Sequence, residues 1–226
     1  MDREVRLITT EDGSHSLYLP HLNETYHSSH GAITESEHVF IQAGLDYYFS
    51  ANEVKRLKVL EVGFGTGLNA WLTWNYANKY SRAVSMTSLE PYPLPKEIYE
   101  QLNYPRQLEG EQGQERFLSL HEASWDVPTV FDDDFSLEKR TKRLEDFETD
   151  VAYEVVYFDA FAPNKQAELW ELTILEAVAA MMGVGGVLVT YCARGQFKRD
   201  LRALGLEVQT LPGPPGKKEM VRGLKL

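Results

Sequence analysis

Residues 57–67 read LKVLEVGFGTG, an apolar run that ends in three glycines at every second position. A buried strand of this length, followed at Leu68–Lys79 by a helical pattern, is typical of a strand–loop–helix unit. Glycine allows positive φ in the loop and lets a ligand approach the backbone without a Cβ in the way. The stretch therefore predicts a buried strand whose carboxyl end carries a ligand-binding loop.

Strands and helices alternate along the rest of the chain. Further strands are predicted at AVSMTSLE (83–90), FSLEKRT (135–141), VAYEVVYFD (151–159) and GGVLVTYC (185–192). Helices or short helical elements are predicted at PLPKEIYEQL (93–102), QERFLSLH (114–121), AELWELTILEAVAAMM (167–182) and GQFKRDLRALG (195–205). Alternation at this spacing predicts an α/β fold with a mostly parallel sheet covered on both faces. The last pieces, LEVQTL and KEMVRGLKL, are predicted to pair as an antiparallel hairpin.

The first 50 residues differ from this pattern. VRLIT and SLYLP predict two short strands, and Thr34-x-x-Glu37 is typical of a capping box at the start of a helix. We expect one domain over residues 1–226, in which residues 1 to about 50 form an N-terminal extension or lid. His27-x-x-His30 is a weak zinc pattern because no cysteine lies nearby, so no metal is expected.

Composition places the chain among ordinary globular proteins, with 43% hydrophobic and 25% charged residues in 226. The N-terminus has no apolar signal core, and no apolar run approaches the roughly 20 residues that span a bilayer. The single cysteine, Cys192, excludes an internal disulfide and fits a reducing environment. We therefore expect a cytoplasmic protein without membrane association, and we interpret Cys192 as a small buried residue.

Charge is distributed unevenly along the chain. The net charge is −11, yet residues 194–226 hold eight Lys or Arg against three acids, which gives +5 and leaves −16 for the preceding residues. An acidic surface repels phosphates, whereas a basic C-terminal face can still bind a polyanion through one patch. Solvated surface charge is the other interpretation of the same pattern.

The glycine spacing identifies the type of ligand more closely. A dinucleotide fingerprint needs G-x-G-x-x-G, and Leu68 occupies the position of its third glycine. Glu61, two residues before the first glycine, would repel a diphosphate but suits a ligand with an ammonium group. E-x-G-x-G-x-G resembles motif I of the class I S-adenosyl-L-methionine (SAM) methyltransferases, in which this loop holds the methionine part of the cofactor.

A second acid, Glu90, follows the next strand, where a carboxylate can accept hydrogen bonds from both ribose hydroxyls. The acid expected near the adenine stays open between Glu122, Asp126 and Glu138. The predicted cofactor-binding residues are Glu61, Gly63, Phe64, Gly65, Thr66, Gly67, Asn69 and Glu90.

Five stretches narrow the resemblance. They are LNETYHSSHGAITESEHVF (22–40), EVGFGTGLNAW (61–71), FDAFAPNKQAELW (158–170), GGVLVTYCARGQFKRDLRALGL (185–206) and PGPPGKKEMVRG (212–223). Together they resemble the methyltransferase half of the MnmC family, which makes 5-methylaminomethyl-2-thiouridine at the tRNA wobble position. The resemblance implies SAM-dependent methylation of the amine of 5-aminomethyl(-2-thio)uridine, with the tRNA anticodon stem-loop as partner. It also implies a stand-alone enzyme, because no second glycine fingerprint of the family's FAD oxidase half is present. The resemblance fades between about 105 and 150.

Asp159 ends the strand VAYEVVYFD and is the predicted catalytic residue. A primary alkylamine is largely protonated at pH 7, so a carboxylate that accepts its proton and orients it is useful. Related amine methyltransferases place Asp/Asn-Pro-Pro-aromatic here, whereas this chain has Asp-Ala-Phe-Ala-Pro. Phe161 and Pro163 are predicted to form one wall of the base pocket, with Phe161 stacking on the uracil.

Other substrate contacts are predicted with alternatives. Trp170 is either a stacking residue or part of the core, and Tyr26 or His27 is expected to touch the substrate from the lid. Lys217 and Lys218, with Arg194, Lys198 and Arg199, are predicted to contact phosphates. The alternative function is a SAM-dependent methyltransferase or aminopropyltransferase acting on another amine, on a small molecule or a protein.

Overall fold

The computed structural model describes residues 4–110 and 113–226. Its strands are β1 (Arg6–Thr9), β2 (His15–Leu19), β3 (Glu24–Thr25), β4 (Leu57–Val62), β5 (Val84–Leu89), β6 (Thr129–Val130), β7 (Phe135–Arg140), β8 (Tyr153–Phe158), β9 (Met182–Thr190), β10 (Leu206–Pro212) and β11 (Glu219–Lys225).

The helices alternate with these strands. They are α1 (Ala32–Ser36), α2 (Tyr47–Ala51), α3 (Leu68–Tyr80), α4 (Lys96–Tyr99), α5 (Tyr104–Leu108), α6 (Gly113–Glu122), α7 (Leu172–Met181) and α8 (Gly195–Ala203). A π-helical stretch, Glu37–Asp46, joins α1 to α2, and two short 3₁₀ turns lie at Leu144–Asp146 and Ala167–Trp170.

An eight-stranded sheet forms the centre of the molecule, in the order β10-β11-β9-β8-β4-β5-β7-β6. The five strands from β9 to β7 are parallel, whereas β11 pairs antiparallel with β9 and β10 with β11. The predicted class I SAM methyltransferase fold, with its closing hairpin, is confirmed. The strand order reverses between β4 and β8, so the carboxyl ends of these two strands border the crevice in which such sheets bind ligands.

Each face of the sheet carries its own apolar core. On one face, α3 and the π-helical stretch cover buried residues that include Trp71, Phe40 and Tyr157. On the other face, α7 and α8 cover a second cluster that includes Phe158 and Trp170. Two helical layers around a parallel sheet explain why β4 and β8 are buried at every position but one.

The N-terminal residues are divided between two roles. Strands β1–β3 form a separate small sheet, as predicted for the first two. The helical segment after them packs on the main sheet, where Val39 and Leu45 are fully buried. Residues 32–51 therefore belong mainly to the core, and of these only Glu35 lines the ligand cavity, together with residues of the preceding segment.

The predicted capping box is wrong. The first helix begins at Ala32, and Thr34 lies inside it. The backbone N–H and the hydroxyl of Thr34 both donate to Asp12 Oδ2, at 3.0 and 2.8 Å. Asp12 lies in the β1–β2 turn and accepts hydrogen bonds from the first turn of this helix. In a capping box, a residue of the helix itself would accept such bonds. Hydrogen bonds to this carboxylate outweigh its partial burial and lower the pKa of Asp12 to about 2.

The long helix predicted over 167–182 is also wrong in its extent. A 3₁₀ turn ends at Trp170, Glu171 has an extended backbone with ψ of 148°, and α7 begins at Leu172. Strands are confirmed within the predicted stretches 57–63, 83–90, 135–141 and 151–159, as is the antiparallel C-terminal hairpin. The observed strands are Leu57–Val62, Val84–Leu89, Phe135–Arg140 and Tyr153–Phe158.

Candidate active site

A cavity of about 1090 Å³ opens at the carboxyl ends of β4, β5 and β8. Its walls come from the glycine loop, the segments that follow β5, β7 and β8, and residues 19–29 of the N-terminal segment. Parallel strands deliver their carboxyl ends to one edge, so residues far apart in sequence meet there. Ten residues predicted as site residues line it: Tyr26, Gly63, Phe64, Gly65, Thr66, Asn69, Glu90, Asp159, Phe161 and Lys217.

The glycine loop has backbone conformations that residues with a Cβ rarely adopt. Gly65 has φ of 49° and Gly67 has φ of 73°, both in the left-handed region. A Cβ on Gly67 would lie 2.8 Å from Nε2 of His121, and one on Gly65 would lie 3.1 Å from the ring of Tyr26. The loop therefore needs glycine both for its conformation and for the close approach of its neighbours.

Thr66, at the centre of this loop, is held by two histidines. His27 Nε2 lies 2.8 Å from Thr66 Oγ1, and His121 Nε2 lies 3.1 Å from the Thr66 carbonyl oxygen. Burial lowers the pKa of His27 to about 4 and that of His121 to about 3, so both rings are neutral near pH 7. His121 also stacks on Tyr99 with 4.3 Å between ring centroids. His27 thus holds the glycine loop through Thr66 and, like Tyr26, also lines the cavity.

Lys139 supports the same loop from behind. It is 1% exposed, its ammonium donates to the carbonyl oxygen of His121 at 2.6 Å, and it lies 4.5 Å from the ring centroid of Trp125. The same ammonium lies 5.4 Å from the ring centroid of Phe64. Burial lowers the pKa of Lys139 to about 8.

Glu90 lies beside the glycine loop at the end of β5. One carboxylate oxygen accepts the backbone N–H of Gly65 at 3.0 Å, and the other accepts that of Tyr92 at 2.9 Å. These bonds fix the carboxylate on the cavity wall. Glu90 is therefore placed where a ligand at this loop would meet it.

Glu61 lies behind the loop rather than on the cavity wall. Its side chain is fully buried, one oxygen accepts the hydroxyl of Ser88, and the other has no hydrogen-bond partner. Burial raises the pKa of Glu61 to about 8, so the neutral acid is favoured near pH 7. The Oδ1 atom of Asn69 is a second buried acceptor without a partner. Both oxygens are suited to a donor that a ligand brings.

Asp159 follows β8 and lines the cavity beside the glycine loop. Its Oδ2 accepts the side-chain amide of Asn69 at 2.9 Å, and its backbone N–H donates to Val62 O at 3.2 Å. Burial, and next the negative charge of Glu35, raise the pKa of Asp159 to about 7, while Asn69 and Lys217 oppose the shift. A carboxylate with this pKa can accept and release a proton near neutral pH.

An ion pair that the sequence did not predict lies beside Asp159. Lys217 Nζ contacts Glu35 Oε1 on the cavity wall, and the same ammonium lies 3.8 Å from the ring centroid of Tyr191. Lys217 therefore does not project into solvent as a phosphate contact, which was the prediction. Residues 35 and 217 are 182 positions apart, and nothing local in the sequence connects them.

The aromatic residues predicted to contact substrate separate into two groups. Tyr26 and Phe161 both line the cavity and meet edge to face, with 5.3 Å between centroids. Trp170 instead packs in the core against Phe158 and Phe197, and its indole N–H donates to Phe161 O at 2.9 Å. The stacking role predicted for Trp170 is therefore corrected to support of the Phe161 backbone. Pro163 is partly buried and lies outside the cavity lining.

The other predicted residues lie away from the cavity. Glu122, Asp126 and Glu138, the three candidates for the adenine, contact Lys96, Thr141 and Arg140 and do not line it. Lys218, Arg194 and Arg199 are exposed, whereas Lys198 is paired with Glu219 at 3.1 Å.

Residues missed by the sequence analysis include Tyr92 and Leu144 on one side of the cavity and Tyr191 on the other. Tyr191 directly follows β9, so its position at a strand end was a usable signal. Within residues 4–110 and 113–226, no three His, Cys, Asp or Glu side chains are grouped so that they could hold a metal ion. Across the same residues, no helix has the length and apolar character needed to cross a membrane.

Comparisons of the sequence and of the structure with known proteins agree on methyltransferases. A family described as S-adenosyl-L-methionine-dependent methyltransferase matches residues 123–226. The bifunctional protein MnmC of tRNA 5-methylaminomethyl-2-thiouridine biosynthesis from Cupriavidus metallidurans is 30% identical over 232 residues, which cover 94% of this chain and 33% of that protein. Its namesake from Ralstonia nicotianae is 30% identical over 216 residues, 88% of this chain and 31% of that protein.

The crystal structure of MNMC2 from Aquifex aeolicus superposes with a TM-score of 0.81 at 26% identity, covering 98% of this chain and 70% of that one. The chain spans about a third of the length of the bifunctional relatives.

Proposed function

We propose that this chain, which is an S-adenosyl-L-methionine-dependent methyltransferase, methylates the primary amine of 5-aminomethyl(-2-thio)uridine at the wobble position of tRNA. The observation that carries the proposal is Asp159, a carboxylate at the end of β8 that lines the same cavity as the glycine loop and lies beside it. The similarity over almost the whole chain to proteins named for tRNA 5-methylaminomethyl-2-thiouridine biosynthesis supports this choice of substrate.

The residues around the loop suit the cofactor. SAM carries an ammonium group, and the buried oxygens of Glu61 and Asn69 that lack partners are acceptors for which such a donor is complementary. Gly63 and Gly65 present bare backbone on the cavity wall, and the Glu90 carboxylate lies where ribose hydroxyls would reach it. In our proposal, Gly63–Gly67 and Asn69 hold the methionine part, Glu61 supports it from behind, and Glu90 holds the ribose.

When bound, SAM supplies a methyl group on a sulfonium, which is already activated for transfer. The protein must then align the amine and remove its proton. Asp159 accepts a proton from the ammonium form of the substrate, which frees the nitrogen lone pair, and the Asn69 amide fixes the direction of that carboxylate. Positioned bases of this kind contribute roughly 10²–10⁴-fold to rate.

The edge-to-face pair of Tyr26 and Phe161 is proposed to form the wall against which the extruded uracil lies. Exposed cations are proposed to contact phosphates of the anticodon stem-loop. They are Lys218, Arg194 and Arg199 near the C-terminal hairpin, and Lys142 and Arg143 at the rim of the cavity.

The test is methylation of purified tRNA that carries 5-aminomethyl(-2-thio)uridine, followed by nucleoside mass spectrometry. The wild-type protein should produce 5-methylaminomethyl(-2-thio)uridine and S-adenosylhomocysteine. Asp159→Asn should slow this conversion by about 10²-fold or more while it leaves the SAM dissociation constant, measured by calorimetry, within a few-fold.

Asp150→Asn makes the same chemical change at an exposed position just before β8 and is the matched control. Two outcomes would exclude the proposal: a wild-type protein that binds SAM but leaves the tRNA nucleosides unchanged, or an Asp159→Asn variant with wild-type turnover.

A further inference from the structure

The ion pair between Glu35 and Lys217 brings two distant segments to the wall beside Asp159. Glu35 belongs to α1, and Lys217 lies in the turn between β10 and β11. Both side chains line the cavity, so the pair faces the substrate space rather than bulk solvent. A surface role in solubility would need neither this burial nor this location.

Glu35 is 5% exposed, and both of its oxygens are used. Oε2 accepts the backbone N–H of Ser28 at 2.8 Å, and Oε1 receives the Lys217 ammonium. Removal of the lysine would leave the buried side chain of Glu35 without a cation beside it, which is unfavourable for a buried charge. The lysine is therefore the cation that matches the charge of Glu35 on this wall.

Tyr191 fixes where the lysine lies. Its hydroxyl donates to Ala160 O at 2.8 Å, so the ring is held against the segment that carries Asp159. The Lys217 ammonium lies over this ring at 3.8 Å from the centroid. A cation held by a carboxylate on one side and an aromatic face on the other has a defined position.

We propose that Glu35 and Lys217 are positioning residues that set the charge of Asp159 and make it, rather than Glu35, the carboxylate that receives the substrate amine. The inference rests on the proposed function, since it concerns the amine acceptor of that same site. With its charge already matched by Lys217, Glu35 offers little attraction to an incoming ammonium group. Asp159 has only a neutral amide, Asn69, as its hydrogen-bonded side-chain partner within the described residues.

The two members of the pair act on Asp159 in opposite directions. Besides burial, Glu35 raises the pKa of Asp159 and Lys217 lowers it. The other titratable groups coupled to Asp159 are Glu61, which is mostly protonated at neutral pH, and Tyr191, whose pKa is raised so that the phenol stays neutral. After burial, which is the largest cause of the raised pKa of Asp159, the pair therefore supplies the two opposing charges that act on this carboxyl.

The experiment compares the pH dependence of kcat/KM for tRNA methylation in Glu35→Gln, Lys217→Met and the double variant. Glu35→Gln removes the anion and leaves Lys217 as the remaining charge of the pair, which lowers the pKa of Asp159. The acidic limb of the pH profile should therefore move to lower pH by about 1 unit. Lys217→Met removes the cation and leaves Glu35 as the remaining charge of the pair, so the acidic limb should move to higher pH by a similar amount. KM should also rise, because the unpaired Glu35 attracts the substrate amine away from Asp159. The double variant should return close to the wild-type limb.

Matched controls are Glu53→Gln and Lys55→Met, which make the same changes at exposed positions just before the amino end of β4. Lys217→Arg keeps the charge and should keep the wild-type limb. If Lys217→Met does not fold, Glu35→Gln must still move the limb to lower pH.

Shifts in the same direction for both single variants, or an unmoved limb in folded Glu35→Gln, would overturn the inference. A wild-type protein without tRNA methylation would instead refute the proposed function, so the two failures are distinguishable.

Discussion

The two buried histidines that hold Thr66, His27 and His121, should each make a contribution to the free energy of unfolding that is lost on acidification. Each is 8% exposed, and their Nε2 atoms lie 2.8 and 3.1 Å from Thr66 Oγ1 and O. Protonation would place an uncompensated charge in an apolar setting, which is why the pKa of His27 is lowered to about 4 and that of His121 to about 3, from an ordinary 6.5.

The sign and size of the effect follow from proton linkage. Below pH 6.5 the unfolded chain binds a proton at each histidine and the folded chain does not, so the contribution of the histidines to the free energy of unfolding falls as pH falls. Glu61 and Asp159, whose pKa values are raised, act in the opposite direction over this range, so the histidine contribution is read from the difference between variant and wild type. Between pH 8 and pH 5, each histidine should cost about 2 kcal/mol, or about 4 kcal/mol for the pair. The loss deepens further until the pH reaches the folded pKa of each ring.

Urea unfolding of the wild type, His27→Gln and His121→Gln at pH 5, 6, 7 and 8 measures this loss. Each variant should lose about 2 kcal/mol less than the wild type between pH 8 and pH 5, whatever its stability at pH 8. His21→Gln, at an exposed position, should lose as much as the wild type. The reasoning is refuted if the buried-histidine variants lose as much stability as the wild type over this range, since carboxylate titration is common to all four proteins.

Three further outcomes are expected. Between pH 8 and pH 10.5 the wild type should gain about 3 kcal/mol of unfolding free energy relative to Lys139→Met in the same urea assay, because burial lowers the pKa of Lys139 from 10.5 to about 8. Gly67→Ala should lower the melting temperature and weaken SAM binding in calorimetry, since φ of 73° costs about 1–2 kcal/mol and the Cβ would press on His121. Trp170→Phe should lose about 1 kcal/mol in thermal unfolding through the missing bond to Phe161 O, with SAM affinity unchanged.

Features carried by a single short stretch were predictable from the sequence. The strand Leu57–Val62 and the glycine spacing after it determine a buried strand and a loop with positive φ, because apolar periodicity and the missing Cβ act locally. Asp159 was predictable for the same reason, since any residue that follows a buried parallel strand reaches the ligand edge of the sheet.

Features that join separate segments were not predictable in this way. Trp170 has the same local pattern whether it faces a cavity or the core, and only the packing of α7 and α8 places it beside Phe158 and Phe197. The cap of α1 comes from Asp12 rather than from Glu37, because the β1–β2 turn lies over the first turn of that helix. The local sequence allows several environments for Trp170 and several caps for α1, and the neighbouring segments in the folded chain determine which one forms.

The adjacent lysines of PGPPGKKEM show the difference most clearly. By itself the sequence determined a turn with two positive charges, which is compatible with solvent, with phosphate or with an internal carboxylate. In the folded chain, Lys217 pairs with Glu35 and lies over the ring of Tyr191, whereas Lys218 is exposed. The physical reason is that burial of Glu35 makes its charge costly unless a cation comes to it, and only the sheet topology determines which lysine is close enough.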